Sequence, residues 1–153
     1  MKVETSRFGC IEVDEDKIIY FPWGIPGFED LKKYFLVPVN ENPFFTWLQS
    51  FDDPNVAFLL VDPFLFFEGY EVELTEDVKK ELEIEDRKDI IIQAVTNIPK
   101  TGVENATANL VGPIVINVRK RLGRQVILQD VPYGIKHLLF PKKKEGDRRI
   151  AAG

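Results

Sequence analysis

Asn105-Ala-Thr-Ala-Asn-Leu-Val-Gly-Pro-Ile-Val-Ile-Asn-Val118 runs directly into Arg119-Lys-Arg-Leu-Gly-Arg-Gln-Val-Ile-Leu-Gln129. From Val111 to Val118 the chain is apolar and β-branched except at Gly112, Pro113 and Asn117, and a second apolar segment follows a run of cations. The pattern predicts a core strand, a basic turn centred on Gly123 and a returning strand. Pro113 cannot donate a ladder hydrogen bond, so Gly112-Pro113 marks an irregularity at the strand start. Thr107, Asn109, Asn117 and Gln125 carry side chains able to tie strand ends and loops to neighbouring backbone.

Working outward, most of the chain repeats this grammar of short apolar runs separated by turn residues. Val3 to Phe8 and Lys17 to Phe21 read as strands, with Ile11 to Val13 as part of a meander and Asp14-Glu-Asp16 as a turn. Phe21-Pro-Trp-Gly-Ile-Pro-Gly-Phe28 breaks both periodicities, and its large apolar groups must either cover the core or present an adhesive surface. A helical turn at Glu29 to Lys33 precedes a strand at Tyr34 to Val39. Phe44 to Ser50 and Val56 to Val61 read as strands flanking the turn Phe51-Asp-Asp-Pro-Asn55, whose carboxylates accept backbone N–H bonds. Asp62 to Phe67 continues into Glu68 to Leu74, where Tyr70, Val72 and Leu74 alternate with Glu71 and Glu73, the pattern of a half-buried strand. Thr75 can cap a helix starting at Glu76-Asp77. Ile90 to Val95 resumes the sheet, and Ile135 to Phe140 is a final short strand or apolar tie.

These elements predict a mainly β protein: a small antiparallel β-barrel-like single domain with one or two short helices, because closure protects the edges of such hydrophobic strands. Residues 1–141 form the expected domain, and 142–153 a flexible C-terminal tail.

With 153 residues, an apolar fraction of 44% and an aromatic fraction of 12%, the chain has the composition of one ordered domain. The formal charge of −5 disfavours a general nucleic-acid binder. A lone Cys10 excludes an intramolecular disulfide and suits a reducing cytosol. No apolar run reaches the ~18 residues of a membrane span. His137 is the only imidazole, and phosphate-loop, dinucleotide and zinc-protease motifs are absent from the sequence. An enzyme would need His137 brought beside a carboxylate and another reactive group. No cofactor and no metal is implied.

Charge is segregated along the chain. Glu68, Glu71, Glu73, Glu76, Asp77, Glu81, Glu83, Glu85 and Asp86 crowd one region, whereas Arg119, Lys120, Arg121 and Arg124 crowd the hairpin and Lys142 to Lys144 the tail. The acidic field repels RNA and steers basic protein partners. The basic hairpin, with Trp23 or Trp47 as stacking platforms, is the feature on which a β-barrel RNA-binding module would depend.

The ordered set Phe21-Pro-Trp-Gly-Ile-Pro-Gly-Phe-Glu29, Leu48-Gln-Ser-Phe-Asp-Asp-Pro54, Ala57-Phe-Leu-Leu-Val-Asp-Pro63 and Thr107-Ala-Asn-Leu-Val-Gly-Pro-Ile-Val-Ile-Asn117 resembles the flagellar assembly factor family FliW, and Gly123 to Val126 and Tyr133 to Leu138 agree. The resemblance spans Val3 to Phe140. It implies a cytoplasmic, non-enzymatic β-barrel-like protein that binds the translational repressor CsrA, relieves repression of flagellin translation, and binds flagellin in competition with that repressor. On this resemblance Gln49, Ser50, Asp52, Asp53, Asn55, Thr107, Asn109 and Gly112 are expected to bind a partner or support the surface that does; Pro54, Pro113 and Asn117 share the motif.

Overall fold

The computed structural model describes residues 1–141; the expected tail, 142–153, lies outside the described residues. Alternating burial along the apolar runs produces eleven strands there, in the order β1 (Lys2–Thr5), β2 (Gly9–Glu12), β3 (Ile19–Tyr20), β4 (Lys33–Pro38), β5 (Phe45–Ser50), β6 (Ala57–Val61), β7 (Ile90–Asn97), β8 (Thr107–Ala108), β9 (Ile114–Asn117), β10 (Leu122–Gln125) and β11 (His137–Leu138). Two short helices, α1 (Pro63–Phe66) and α2 (Glu76–Glu81), lie between β6 and β7.

Seven strands close a barrel in the order β3-β4-β5-β6-β7-β9-β10, with β8 and β11 added outside β7 and β1–β2 forming a separate hairpin. Closure depends on two pairings between distant segments. Ile90 to Gln93 pairs antiparallel with Asn117 to Ile114, and Leu122 pairs parallel with Tyr20, so one junction departs from the expected antiparallel pattern.

Because side chains alternate across a strand, this barrel buries both faces of its wall. Phe21, Tyr34, Leu48, Leu60, Ile114 and Ile116 fill the interior. On the outer face Val61, Ile92, Ala94 and Val115 pack beneath Tyr70, Val72, Val78 and Leu82. The β1–β2 hairpin covers Phe35 with Val3 and Val13. Each fully buried Val, Leu, Ile or Phe among them contributes about 1.5–3 kcal/mol, and the two-sided burial accounts for the nearly uninterrupted apolar runs of β6 and β9.

Several sequence expectations need correction. Gly123 lies inside β10, and the turn is Val118 to Arg121, with Arg121 at φ 57°. The basic run was misplaced because Gly123 is needed for space, not for turning: a Cβ there would lie 2.5 Å from Phe21 Cζ. Val3 to Phe8 splits, since Ser6 to Phe8 forms the β1–β2 turn and Thr5 Oγ1 accepts from Phe8 N at 2.8 Å. A 3₁₀ turn occupies Glu15–Lys17, shortening the following strand to β3. The region Glu29 to Leu31 makes a turn without a helix, and β4 starts at Lys33. Asp62-Pro63 begins α1: Asp62 Oδ1 accepts from Phe64 N at 3.0 Å and Pro63 occupies the first helical turn. Glu68 to Leu74 has the burial alternation of a strand but belongs to no ladder. Thr75 does cap α2, its Oγ1 accepting from Val78 N at 3.2 Å, and Pro113 does precede the core strand, its carbonyl accepting from Val126 N.

Two buried tyrosines contrast usefully. Tyr70 donates its hydroxyl to Leu110 O at 2.8 Å, whereas the Tyr34 hydroxyl has no partner among the described residues. Burial pushes the Tyr34 phenol up to about 12. The phenol is neutral in both states below the unfolded value of about 10, and stability falls progressively between about pH 10 and about pH 12 as the unfolded chain ionises first. Tyr34→Phe removes an unsatisfied hydroxyl, so it should leave neutral-pH stability unchanged or raise it by up to about 1 kcal/mol. It should also lessen the alkaline loss, read by urea denaturation at neutral pH and at about pH 11. A loss above about 1 kcal/mol at neutral pH would show that the hydroxyl has a partner.

Candidate interaction surfaces

The β5–β6 turn is held by its own polar residues. Gln49 and Ser50 end β5 completely buried. Gln49 Nε2 faces the turn carbonyls, donating to Ser50 O at 3.1 Å and Val56 O at 3.2 Å, with Pro54 O and Asp53 O at 3.4 and 3.5 Å. Ser50 Oγ accepts from Asp53 N at 3.0 Å, and Asp53 Oδ1 accepts from Asn55 N at 2.9 Å. The β1–β2 turn docks alongside: Ser6 N donates to Pro54 O at 2.9 Å and Ser6 Oγ to Asn55 Oδ1. Asp52 and Asn55 remain exposed, and a cavity of about 220 Å³ opens between Ser6, Arg7, Gln49 and Asn55. Arg7 stacks on Trp47 with its guanidinium 3.8 Å from the ring centroid.

The Thr107–Gly112 group is built differently. Thr107 lies in β8, opposite Asn97 and Leu138. Asn109 Oδ1 accepts from Val111 N and Gly112 N at 3.1 and 2.9 Å, shaping the entry to β9. Gly112 O accepts from Gln125 Nε2 at 2.9 Å, which fixes the irregular stretch against β10. Strands β6 and β7 separate this group from the β5–β6 turn, and no hydrogen bond joins the two among the described residues. Gln49, Ser50, Asp53, Asn55, Asn109 and Gly112 thus have evident local work to do; Asp52 and Asn55 are the exposed members of the set.

The charge blocks that sequence separates are neighbours in space. Arg119 Nη1 lies 3.2 Å from Glu85 and 3.9 Å from Asp89, and Arg124 is paired with Glu81. The Arg124 guanidinium also sits 4.8 Å from the Trp23 ring centroid, and Arg121 donates to Glu15 O at 3.0 Å. Asn117 joins the two regions: its Nδ2 donates to Leu82 O at 2.8 Å and Glu83 O at 3.1 Å, while its Oδ1 accepts from Arg119 N and Lys120 N. Arginines occupied in this way offer fewer free donors to a phosphate backbone.

Sequence reasoning missed a groove of about 660 Å³ on the acidic side, between Tyr70 to Leu74 and the first half of β7. Ile84, Ile90 and Ile92 line it, Phe64 is 44% exposed beside it, and Glu71 and Glu73 stand on its outer wall. The alternation at Tyr70 to Leu74 was the available signal; the partnerless edge beside it was not.

Nothing catalytic assembles among the described residues. His137 Nε2 accepts from Gly134 N at 2.8 Å and the ring packs near Phe67 and Tyr133. Cys10 is exposed opposite Glu4, whose hydrogen bond and charge push its thiol above the usual range. No group of three or more potential metal ligands occurs among those residues. None of their helices is long and apolar enough to cross a membrane.

Comparison with known proteins gives a consistent result. The family model for FliW protein matches residues 2–139. The flagellar assembly factor FliW of Moorella thermoacetica is 51% identical over 150 residues, covering 98% of this chain and 95% of the relative. The protein of the same description from Geobacillus sp. is 42% identical over 143 residues, covering 94% and 98%. A crystal structure of the flagellar assembly factor FliW superposes with a TM-score of 0.86 at 40% identity, covering 94% of this chain and all of the other. A barrel of this topology, matched along nearly its whole length by sequence and by structure, places the chain in the FliW family.

Proposed function

We propose that the chain is a non-enzymatic, cytoplasmic flagellar assembly factor. It binds the translational repressor CsrA, relieves repression of flagellin translation, and exchanges that repressor for flagellin. The observation that carries this reading is the family membership across almost the entire chain. Two features of the surface support a protein ligand over RNA. The acidic segment from Glu68 to Asp86 includes many exposed carboxylates, and the cations Arg119 and Arg124 are paired with members of that region or its flank.

The β5–β6 turn is the proposed contact region, with Asp52 and Asn55 facing the partner and Gln49, Ser50 and Asp53 holding the turn in shape. Thr107, Asn109 and Gly112 support the wall around β8. Purified protein titrated with its cognate CsrA should bind saturably, release flagellin leader RNA from the repressor, and be displaced by monomeric flagellin. Asp52→Asn combined with Asn55→Ala should weaken at least one partner by about tenfold while leaving the fold intact. Unchanged affinity for both partners removes the turn from the interface. Failure of both partners to bind, with direct salt-sensitive RNA binding instead, overturns the whole reading.

A further inference from the structure

The groove beside β7 has two walls that both lack a strand partner. On one side Tyr70, Val72 and Leu74 turn inward while Glu71 and Glu73 are exposed, so the segment is extended and alternating. Glu71 N donates to Tyr133 Oη at 3.0 Å, but the backbone groups of Val72, Glu73 and Leu74 bond to no backbone group among the described residues. On the other side, β6 leaves the sheet after Val61, which faces Ala94, so Ile90 to Gln93 has no strand neighbour on that flank, although Ile90 N already donates to Arg87 O and Asp62 and Phe64 lie beside it. Direction follows from alternation. Asp89 and Val95 turn their carbonyls toward the β8–β9 flank, accepting from Val118 N and Asn109 N; Ile90 and Ile92 therefore turn theirs to the open flank. The Gln93 side chain caps one of these, Nε2 donating to Ile92 O at 3.2 Å.

An open edge next to apolar surface invites strand addition. The walls also specify chemistry. Glu71 and Glu73 have no ion-pair partner among the described residues, whereas Glu76 is paired with Lys79 and Glu85 with Arg119; Arg87, which also lines the groove, has none either, so the unpaired lining charges sum to one negative. We propose that this groove receives an extended segment of a partner protein, added as a strand on the open flank of Ile90–Gln93, beside Tyr70–Leu74. Apolar side chains at alternate positions would pack on Ile90 and Phe64, and Lys or Arg at the intervening positions would meet Glu71 and Glu73. The inference rests on the protein-binding reading above only in taking a protein as the source of the strand. The competing occupant is this chain's own segment 142–153, which carries Lys142, Lys143 and Lys144 and follows Phe140, itself packed 5.9 Å from Phe66 of α1.

The test uses the full chain and two blocked peptides of one composition, Lys-Val-Lys-Val-Lys-Val-Lys and Lys-Lys-Lys-Lys-Val-Val-Val, with residue-resolved amide exchange as the readout. The alternating peptide should slow exchange at Ile92 by about tenfold or more, and the block peptide should not. Glu71→Gln with Glu73→Gln, both at exposed positions, should weaken the alternating peptide about tenfold. Equal effects of the two peptides, or protection confined to other residues, would overturn the proposal. So would an Ile92 amide that is already protected in the free protein, since the edge would then be occupied without the peptide. Peptide capture by a protein that binds neither CsrA nor flagellin would sustain the groove and remove only the partner assignment.

Discussion

Gly123→Ala is expected to destabilise the fold by about 3 kcal/mol, at the upper end of the cost of overpacking a core. The added methyl would lie 2.5 to 2.8 Å from three atoms of the Phe21 ring, closer than any packed carbon pair tolerates. That ring is fully buried and set edge-on to Tyr34, with centroids 5.1 Å apart, so it has nowhere to retreat. Backbone movement is also restricted, because Gly123 is paired with Ile116 in the strand that helps close the barrel. Adding Phe21→Leu should recover at least about half of the loss, although that substitution alone also destabilises; the non-additivity identifies the contact. Urea denaturation of the two single variants and the double variant measures it. A neutral Gly123→Ala would mean that the ring has space to move.

Asn117→Ala should cost about 3 kcal/mol through loss of hydrogen bonds at a buried site. Its amide satisfies the carbonyls of Leu82 and Glu83 just beyond α2, and its oxygen satisfies two N–H groups of the hairpin turn. Alanine abandons all of these while leaving Leu82 O buried. Asn117→Asp keeps an acceptor for the turn but sets a carboxylate against two carbonyl oxygens, so it should be at least as damaging at neutral pH. Amide exchange at Leu82 to Glu85 should accelerate in both variants before the barrel strands respond, since α2 is attached from outside the wall. If global stability changed without a local effect there, Asn117 would not be the tie between helix and hairpin.

Both residues lie in the stretch from which the fold was readable, yet neither role was. The strands were legible because two-sided burial leaves long apolar runs, and the β5–β6 turn and the Thr75 cap were legible because their chemistry is local. Gly123 looked like a turn glycine because its neighbour in space, Phe21, is far away in sequence. The helix at Pro63 was signalled by Asp62-Pro63 but hidden by the aromatic bulk that follows. Tyr70 to Leu74 was misread because alternation reports which side is buried and carries no information about a hydrogen-bonding neighbour. The candidate site shows the same division: polar residues in a motif can be recognised, but only coordinates separate a buried Gln49 that shapes a turn from an exposed Asp52 beside it. Charge was the least legible property, because blocks separated along the chain, such as Glu81 and Arg124, meet across the surface.

The parallel junction between Tyr20 and Leu122 joins segments about a hundred residues apart, and β9, which meets β7, begins only at Ile114. Synthesis runs from the N-terminus, so a nascent chain that has emerged as far as β7 has β3 and β7 as two unsealed rims of an open sheet. Loop closure of that length has a substantial entropic cost that is recovered only when β9 and β10 dock together. The barrel therefore becomes a barrel late in translation, and substitutions in its closing strands should slow folding more than equally destabilising changes in the β5–β6 turn.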